Sequence, residues 1–258
     1  MQNSTRSRLA ASIPLALILA LPTIPTQESP VPGGSPTDPS WISLFDGTSL
    51  EGWTVKCKPE DRPKGFWKVD QGAILADSMG QKGHDYVWLT TNREYSNFLL
   101  RLEFQAFRAS PGNSGVQIRS RYDDGELWLN GPQVDINPPA AWRTGMMWDE
   151  TRGNQRWIHP DLPKDKWVDE SMAKPSRIMH YAEDGDAWNL LEISAIGTEI
   201  KATLNGLPIT DYDGKGLLDD RLHQDKRVGM KGVIALQIHT GDQLKIRFRN
   251  IRIKPLNQ

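Results

Sequence analysis

Residues 190–204 read Leu190-Leu191-Glu192-Ile193-Ser194-Ala195-Ile196-Gly197-Thr198-Glu199-Ile200-Lys201-Ala202-Thr203-Leu204. Leu191, Ile193 and Ala195 share one parity, Gly197-Thr198 interrupts, and Ile200, Ala202 and Leu204 return on a single parity. Successive side chains of a strand point to opposite faces, so this pattern predicts a hairpin with one face buried and the other wet. Asn205-Gly206 follows at once as a second turn signal, because both residues tolerate the left-handed backbone of a tight hairpin.

The same alternation recurs outward from this hairpin. Trp41-Ile42-Ser43-Leu44-Phe45 reads as a strand before the turn Asp46-Gly47, and 66–76 as a hairpin around Asp70-Gln71-Gly72. Leu100, Leu102, Phe104 and Ala106 share a face within 98–107, and Val116 and Ile118 alternate with Gln117 and Arg119. The stretch 233–254 reads as a last pair of strands with a turn at Gly241-Asp242. In its second strand Ile246 and Phe248 occupy one parity and Ile251 and Ile253 the other, which predicts a β-bulge near Arg249-Asn250. No long stretch carries a helical stripe. Many short strands at regular spacing predict an all-β sandwich of two antiparallel sheets. Residues 137–183 break the pattern. They hold Trp142, Trp148, Trp157 and Trp167 among charges and prolines, and read as a long Trp-rich loop insertion whose indoles argue against a solvated linker.

The chain has 258 residues and a formal net charge of −1 with both signs dispersed, so no nucleic-acid footprint or polybasic membrane patch is expected. Cys57 is the only cysteine, which excludes an internal disulfide and a thiolate metal cluster. Arg6 and Arg8 precede a short apolar run from Leu9 to Leu21, so 1–26 reads as an export signal. Residues 27–40 then form a Pro/Gly/Ser-rich tether, and 41–258 a single β-sandwich domain of a periplasmic or secreted protein with no stable membrane insertion. There is no G-x-S-x-G elbow, phosphate loop or dinucleotide fingerprint. The histidines lack zinc spacing, and no cofactor is expected. A structural calcium ion at Asp211-Tyr212-Asp213-Gly214 has only the opening spacing of a calcium loop, without its downstream glutamate.

Three strand segments stand out: 116–121, 133–136 and 234–239. Each sets aliphatics on one parity and polar residues on the other, so Gln117, Arg119, Gln133, Asp135, Gln237 and His239 should share one face. Amides match sugar hydroxyls with paired donors and acceptors, an arginine grips a carbonyl or oxyanion, and a histidine moves protons near neutrality. A small-molecule saccharide is therefore the expected partner. The insertion adds Glu150, a carboxylate that could pair with Asp135 in glycosidic cleavage, and Trp148 and Arg152 as candidate substrate contacts; Trp142 and Trp148 offer flat faces to sugar rings.

These segments resemble the 3-keto-disaccharide hydrolase domain family. The resemblance runs from about Trp41 to Leu256 and is carried by 44–53 (Leu-Phe-Asp-Gly-Thr-Ser-Leu-Glu-Gly-Trp), 113–119, 131–136, Trp188-Asn189, 204–206, 234–241 and 248–253, in that order. It implies a concanavalin-like jelly-roll sandwich and an exported glycoside-cleaving enzyme for sugars oxidised at the 3-position, by hydrolysis or elimination. On that footing, His239 would move the proton, Asp135 would orient it, Arg119 and Gln237 would hold the ketone or enolate oxygen, and Glu150 would protonate the leaving oxygen. Members often carry Glu where this chain has Gln133, and an amide there can act neither as acid nor as base. The insertion 142–177 also looks longer than is typical of the family. A non-catalytic, lectin-like carbohydrate-binding module would need the same polar face and tryptophans, and a structural surface module would need only the tether and fold.

Overall fold

The computed structural model describes residues 38–173 and 179–256. The expected export signal at 1–26 and all of the expected tether except Asp38, Pro39 and Ser40 lie outside the described residues. Asp38 is already held by the domain, since Lys254 Nζ donates to its carboxylate at 3.2 Å.

Among the described residues there are sixteen strands: β1 Ile42–Ser43, β2 Trp53–Cys57, β3 Trp67–Asp70, β4 Ala73–Asp77, β5 Val87–Thr91, β6 Phe98–Ala106, β7 Ser114–Asp123, β8 Trp128–Asn130, β9 Pro132–Ile136, β10 Met147–Asp149, β11 Arg156–His159, β12 Asn189–Ile196, β13 Glu199–Leu204, β14 Leu207–Asp213, β15 Val233–Ile238 and β16 Lys245–Pro255. One α-helix is described, the short α1 Arg221–Lys226. All strand pairs are antiparallel, in two sheets. One runs β14-β13-β12-β6-β16-β4-β3 with β1 beside β16, and the other β11-β10-β9-β7-β15-β5-β2 with β8 beside β7. This is the two-sheet antiparallel sandwich expected from the alternation.

The predicted turns are in place. Gln71 and Gly72 both have positive φ between β3 and β4, as do Asn205 and Gly206 between β13 and β14. The aliphatic parity of each strand enters one core: Leu100, Leu102, Phe104, Leu191, Ile193 and Phe248 from the first sheet meet Leu89, Val116, Ile118, Val134, Leu236 and Ile238 from the second. In β16 the register with β6 slips by one residue between Arg249 and Arg252, and Asn250 takes φ 51°. That bulge lets Ile246, Phe248, Ile251 and Ile253 all be buried.

Two expectations are corrected. β15 and β16 are not a pair; the turn between them carries the chain from one sheet to the other. The insertion is not simply a loop, because β10 and β11 extend the second sheet beyond β9. Met146, Trp157 and Val168 form a small core of their own there, with Trp142, Trp148 and Leu162 packed against it.

Candidate active site

The outward parity of the second sheet builds the site. Its register sets Gly115 opposite Asp135 and Trp148 opposite Gln133, and pairing of Ile238 with Val87 places His239 beside Tyr86. Over this face lies a cleft of about 340 Å³ lined by, among others, Tyr86, Asn113, Gln133, Asp135, Arg143, Glu150, His239 and Asp242. Gly115 leaves the room that the Gln133 side chain occupies. A Cβ on that residue would lie 2.4 Å from the Gln133 side chain, so any larger residue would push Gln133 aside.

At one end sits a proton-handling chain. The Tyr86 hydroxyl lies 2.9 Å from His239 Nε2, and His239 Nδ1 faces the Thr240 carbonyl at 3.2 Å and the Asp242 carboxylate at 3.4 Å. Both neighbours of Nδ1 are acceptors, which assigns the proton to Nδ1 in the neutral ring and leaves Nε2 to accept from Tyr86. Burial disfavours the imidazolium, but the Asp242 hydrogen bond and charge outweigh it and hold the His239 pKa above its ordinary value. Tyr86 is stacked on Trp88 at 5.3 Å between ring centres and edge-on to Trp128 at 4.8 Å, and burial pushes its pKa up.

Asn113 ties this end to the centre. Its backbone N–H donates to Asp242 at 2.9 Å, and its side-chain amide donates to Asp135 at 3.1 Å. Arg143 Nε donates to the other Asp135 oxygen at 3.1 Å. Burial pushes the Asp135 carboxyl up, against the pull of Arg143 and Asn113. With both oxygens engaged, Asp135 is a positioning group for Arg143 and Asn113.

Glu150 follows β10 and is 3% exposed. Burial pushes its pKa up to about 7, against hydrogen bonds from Gln237, Trp148 and Gln155. Gln237 Nε2 donates to Glu150 Oε1 at 3.2 Å. A carboxyl that holds its proton to neutrality is suited to general-acid work.

On the far side of β10, Asp149 is fully buried and anchored. His223 of α1 lies 3.1 Å from its carboxylate and 2.8 Å from Asp220, while Thr151 N–H and Asn154 Nδ2 donate to it as well. Burial disfavours a charged His223, and the two carboxylates more than offset that, raising its pKa. This lock fixes the height of the strand end that carries Glu150.

The sequence-predicted residues divide. His239, Asp135, Glu150, Gln133 and Trp148 line the cleft. Gln237 lies beneath it as the donor to Glu150, and Gln117 is buried with its amide donating to the Leu129 carbonyl, so neither lines the cleft wall. Arg152 lies over the Trp128 ring at 4.2 Å, outside the lining.

Arg119 is the clear correction. The register between β7 and β15 slips by one near Ile234, and Arg119 takes φ 48°, so its side chain leaves the polar face. It is fully buried and donates to the carbonyls of Ser96, Gly197 and Gly229 and to Asn97 Oδ1, pinning three connecting segments together. Burial pulls its pKa down to about 10, and it stays a cation at neutral pH.

Sequence reasoning missed Tyr86, Asn113, Arg143 and Asp242 as site residues. Asn113 and Asp242 stood beside recognised segments, but Tyr86 and Arg143 carry no local signal. At the turn with the opening spacing of a calcium loop, Asp213 accepts from Thr198 Oγ1 and Asp211 pairs with Lys201. Among the described residues no group of three or more His, Cys, Asp or Glu side chains converges as a metal site. Among them, too, no helix is long and apolar enough to cross a membrane. Cys57 is a buried free thiol whose pKa burial raises.

The family described as the 3-keto-alpha-glucoside-1,2-lyase-like domain matches residues 40–254. The chain belongs to this family. Membership supports a carbohydrate-related function. Among solved structures, a candidate glycosyl hydrolase from Parabacteroides distasonis ATCC 8503 superposes with a TM-score of 0.53 at 17% identity, covering 84% of this chain and 94% of that one. A second from the same organism gives 0.48 at 23% identity, covering 84% and 99%. A carbohydrate-binding module from Bacillus subtilis gives 0.48 at 13% identity, covering 79% and 95%. The first likeness shows the shared sandwich fold. No curated protein matches the sequence.

Proposed function

We propose that the protein cleaves 3-keto-glycosides by elimination across C1 and C2 of the oxidised sugar. The observation that carries this reading is one cleft lined by both a His–Asp pair suited to accept a proton and a buried carboxyl protonated up to about pH 7. A ketone at C3 acidifies the proton on C2. His239, held by Asp242 and in contact with the Tyr86 hydroxyl, takes that proton. The electrons of the broken C2–H bond form the C1=C2 double bond, the C1–O bond breaks, and the departing oxygen takes the Glu150 proton. The products are an unsaturated 3-keto sugar and the free aglycone, with no water or redox partner consumed. Arg143, oriented by Asp135, replaces Arg119 as the group that stabilises the developing enolate oxygen.

The test is incubation with 3-keto-glycosides and their unoxidised parents, with products followed by mass spectrometry. Elimination gives a sugar product lighter by one water than the hydrolysis product. Release of the hydrated sugar as the initial product would replace elimination with hydrolysis. Binding without cleavage of any substrate would leave a lectin-like module.

A further inference from the structure

Both ring nitrogens of His239 are already engaged. Nε2 lies 2.9 Å from the Tyr86 hydroxyl, and Nδ1 faces the Thr240 carbonyl at 3.2 Å and the Asp242 carboxylate at 3.4 Å. A base whose accepting nitrogen is hydrogen-bonded can take a proton from carbon in two ways. The hydroxyl swings off and bares Nε2, or the hydroxyl itself meets the C–H bond and hands its own proton on.

The rings around Tyr86 choose between these. Its ring lies parallel to Trp88, at 8° with centres 5.3 Å apart, and stands edge-on to Trp128 at 4.8 Å and to His239 at 4.7 Å. Trp88 and Trp128 are themselves buried, so swinging the phenol away would open a packed cluster. The Tyr86 backbone N–H is held as well, donating to the Asp85 carboxylate at 2.7 Å. The clamped phenol lines the cleft. A phenol oxygen accepts as well as donates, so with its proton directed at Nε2 it still presents a lone pair to the cleft. Burial holds its pKa above the ordinary tyrosine value, helped by the charges of Glu150, Asp85 and Asp242, so it does not wait as a phenolate. It can gain a proton only as it gives one up.

We propose that the Tyr86 oxygen is the atom that takes the proton from C2, passing its own proton to His239 Nε2 in the same step. This rests on the elimination reading and makes Tyr86 a catalytic residue of it, with His239 as the proton's destination. The C2–H bond breaks and its proton joins the Tyr86 oxygen, while the Tyr86 O–H proton moves to Nε2. The C2–H electron pair becomes the C1=C2 bond, the C1–O bond breaks, and the leaving oxygen takes the Glu150 proton. Tyr86 ends neutral, His239 ends as an imidazolium with Nδ1–H toward Asp242, and Glu150 ends as a carboxylate. Transfer of one proton from His239 to Glu150 through solvent restores the site.

The experiment compares wild type with Tyr86→Phe, which keeps the ring contacts and removes only the oxygen. Two probes are used: a 3-keto-glucoside, followed by product release, and the 1,5-anhydro analogue of 3-keto-glucose carrying tritium at C2. The analogue has no leaving group at C1, so tritium release reads proton abstraction alone. Tyr86→Phe is expected to keep the parental circular dichroism and to lose about 10²–10⁴-fold in kcat and in tritium release, with little change in KM. If His239 met the substrate directly, the same variant would bare Nε2. Tritium release as fast as wild type or faster in Tyr86→Phe therefore overturns the relay, and so does a loss confined to KM. A second measurement needs no variant. The relay moves an exchangeable O–H proton during abstraction, so wild type should release tritium more slowly in D2O than in H2O; equal rates overturn it, whether or not Tyr86→Phe folds. Wild type that releases tritium from the analogue but cleaves no keto-glucoside ends the elimination reading and leaves the relay standing on the variant and solvent comparisons. No tritium release from wild type overturns the relay.

Discussion

Replacing Glu150 with Gln separates the stability of the fold from its chemistry. In the unfolded chain a glutamate ionises at its ordinary 4.5, whereas in the fold Glu150 holds its proton to about 7 because ionising it would bury a charge. Between these values the unfolded state binds fewer protons than the native state, so this group makes stability fall as pH rises through the window, and the loss is complete above about 7. The gap of 4.5 to about 7, at about 1.36 kcal/mol per decade, corresponds to about 3 kcal/mol. An amide carries no such penalty, and its carbonyl oxygen can still accept from Gln237 at the position of Oε1. Glu150→Gln is therefore expected to match wild type near pH 4 and to exceed it by up to about 3 kcal/mol at pH 8, or ~6–12 °C in Tm for a domain of this size. The same variant should lose about 10²–10⁴-fold in turnover on a keto-glycoside whose leaving oxygen needs a proton. Thermal and urea unfolding across pH 4–8, set beside the product assay, measures both. A stability difference that does not change with pH would refute the buried neutral carboxyl, and full activity in the variant would remove Glu150 as the acid.

His239→Ala is expected to lose turnover by about 10²–10⁴-fold while its circular dichroism stays that of the parent, and near-parental activity would exclude it as the base. Wild-type kcat/KM should be bell-shaped and narrow. Its acid limb lies above the ordinary histidine value, set by neutral His239, and its alkaline limb lies near 7, set by protonated Glu150; Glu150→Gln should abolish the alkaline limb. Arg119→Met removes four donations to one buried and three half-buried acceptors and should destabilise the fold by about 3–5 kcal/mol in urea unfolding. A change in substrate affinity without loss of stability would return Arg119 to the binding site. His223→Ala leaves the buried Asp149 carboxylate without its ring partner and should cost about 3 kcal/mol. It should also lower kcat more than it raises KM, because the strand end carrying Glu150 loosens, and unchanged kcat in a folded variant would refute the lock.

What the linear chain determined is the strands β1, β3, β4, β6, β7, β9, β12, β13, β15 and β16 and, for most of them, which side faces inward; β2, β5, β8, β10, β11 and β14 were not legible in it. Alternation of aliphatics marked β6, β12, β13 and β15, turn residues with positive φ closed the hairpins, and the family segments lay in the order the domain requires. The bulge in β16 was legible because Ile246 and Phe248 before it, and Ile251 and Ile253 after it, record the phase on both sides. The bulge in β7 was not, because only polar or amphipathic residues follow Ile118, so nothing in Ser120-Arg121-Tyr122 betrays the flip that sends Arg119 into the interior. The same parity correctly placed Gln133, Asp135 and His239 on one face. Which partners meet them was decided only in three dimensions. Tyr86 reaches His239 through the register of β5 on β15, Asp242 through the turn that follows, and Arg143 through the insertion folded over the sheet. Alternation along one strand carries its two faces. It carries nothing about which strand lies alongside or at what offset, because that choice depends on the packing of the whole core.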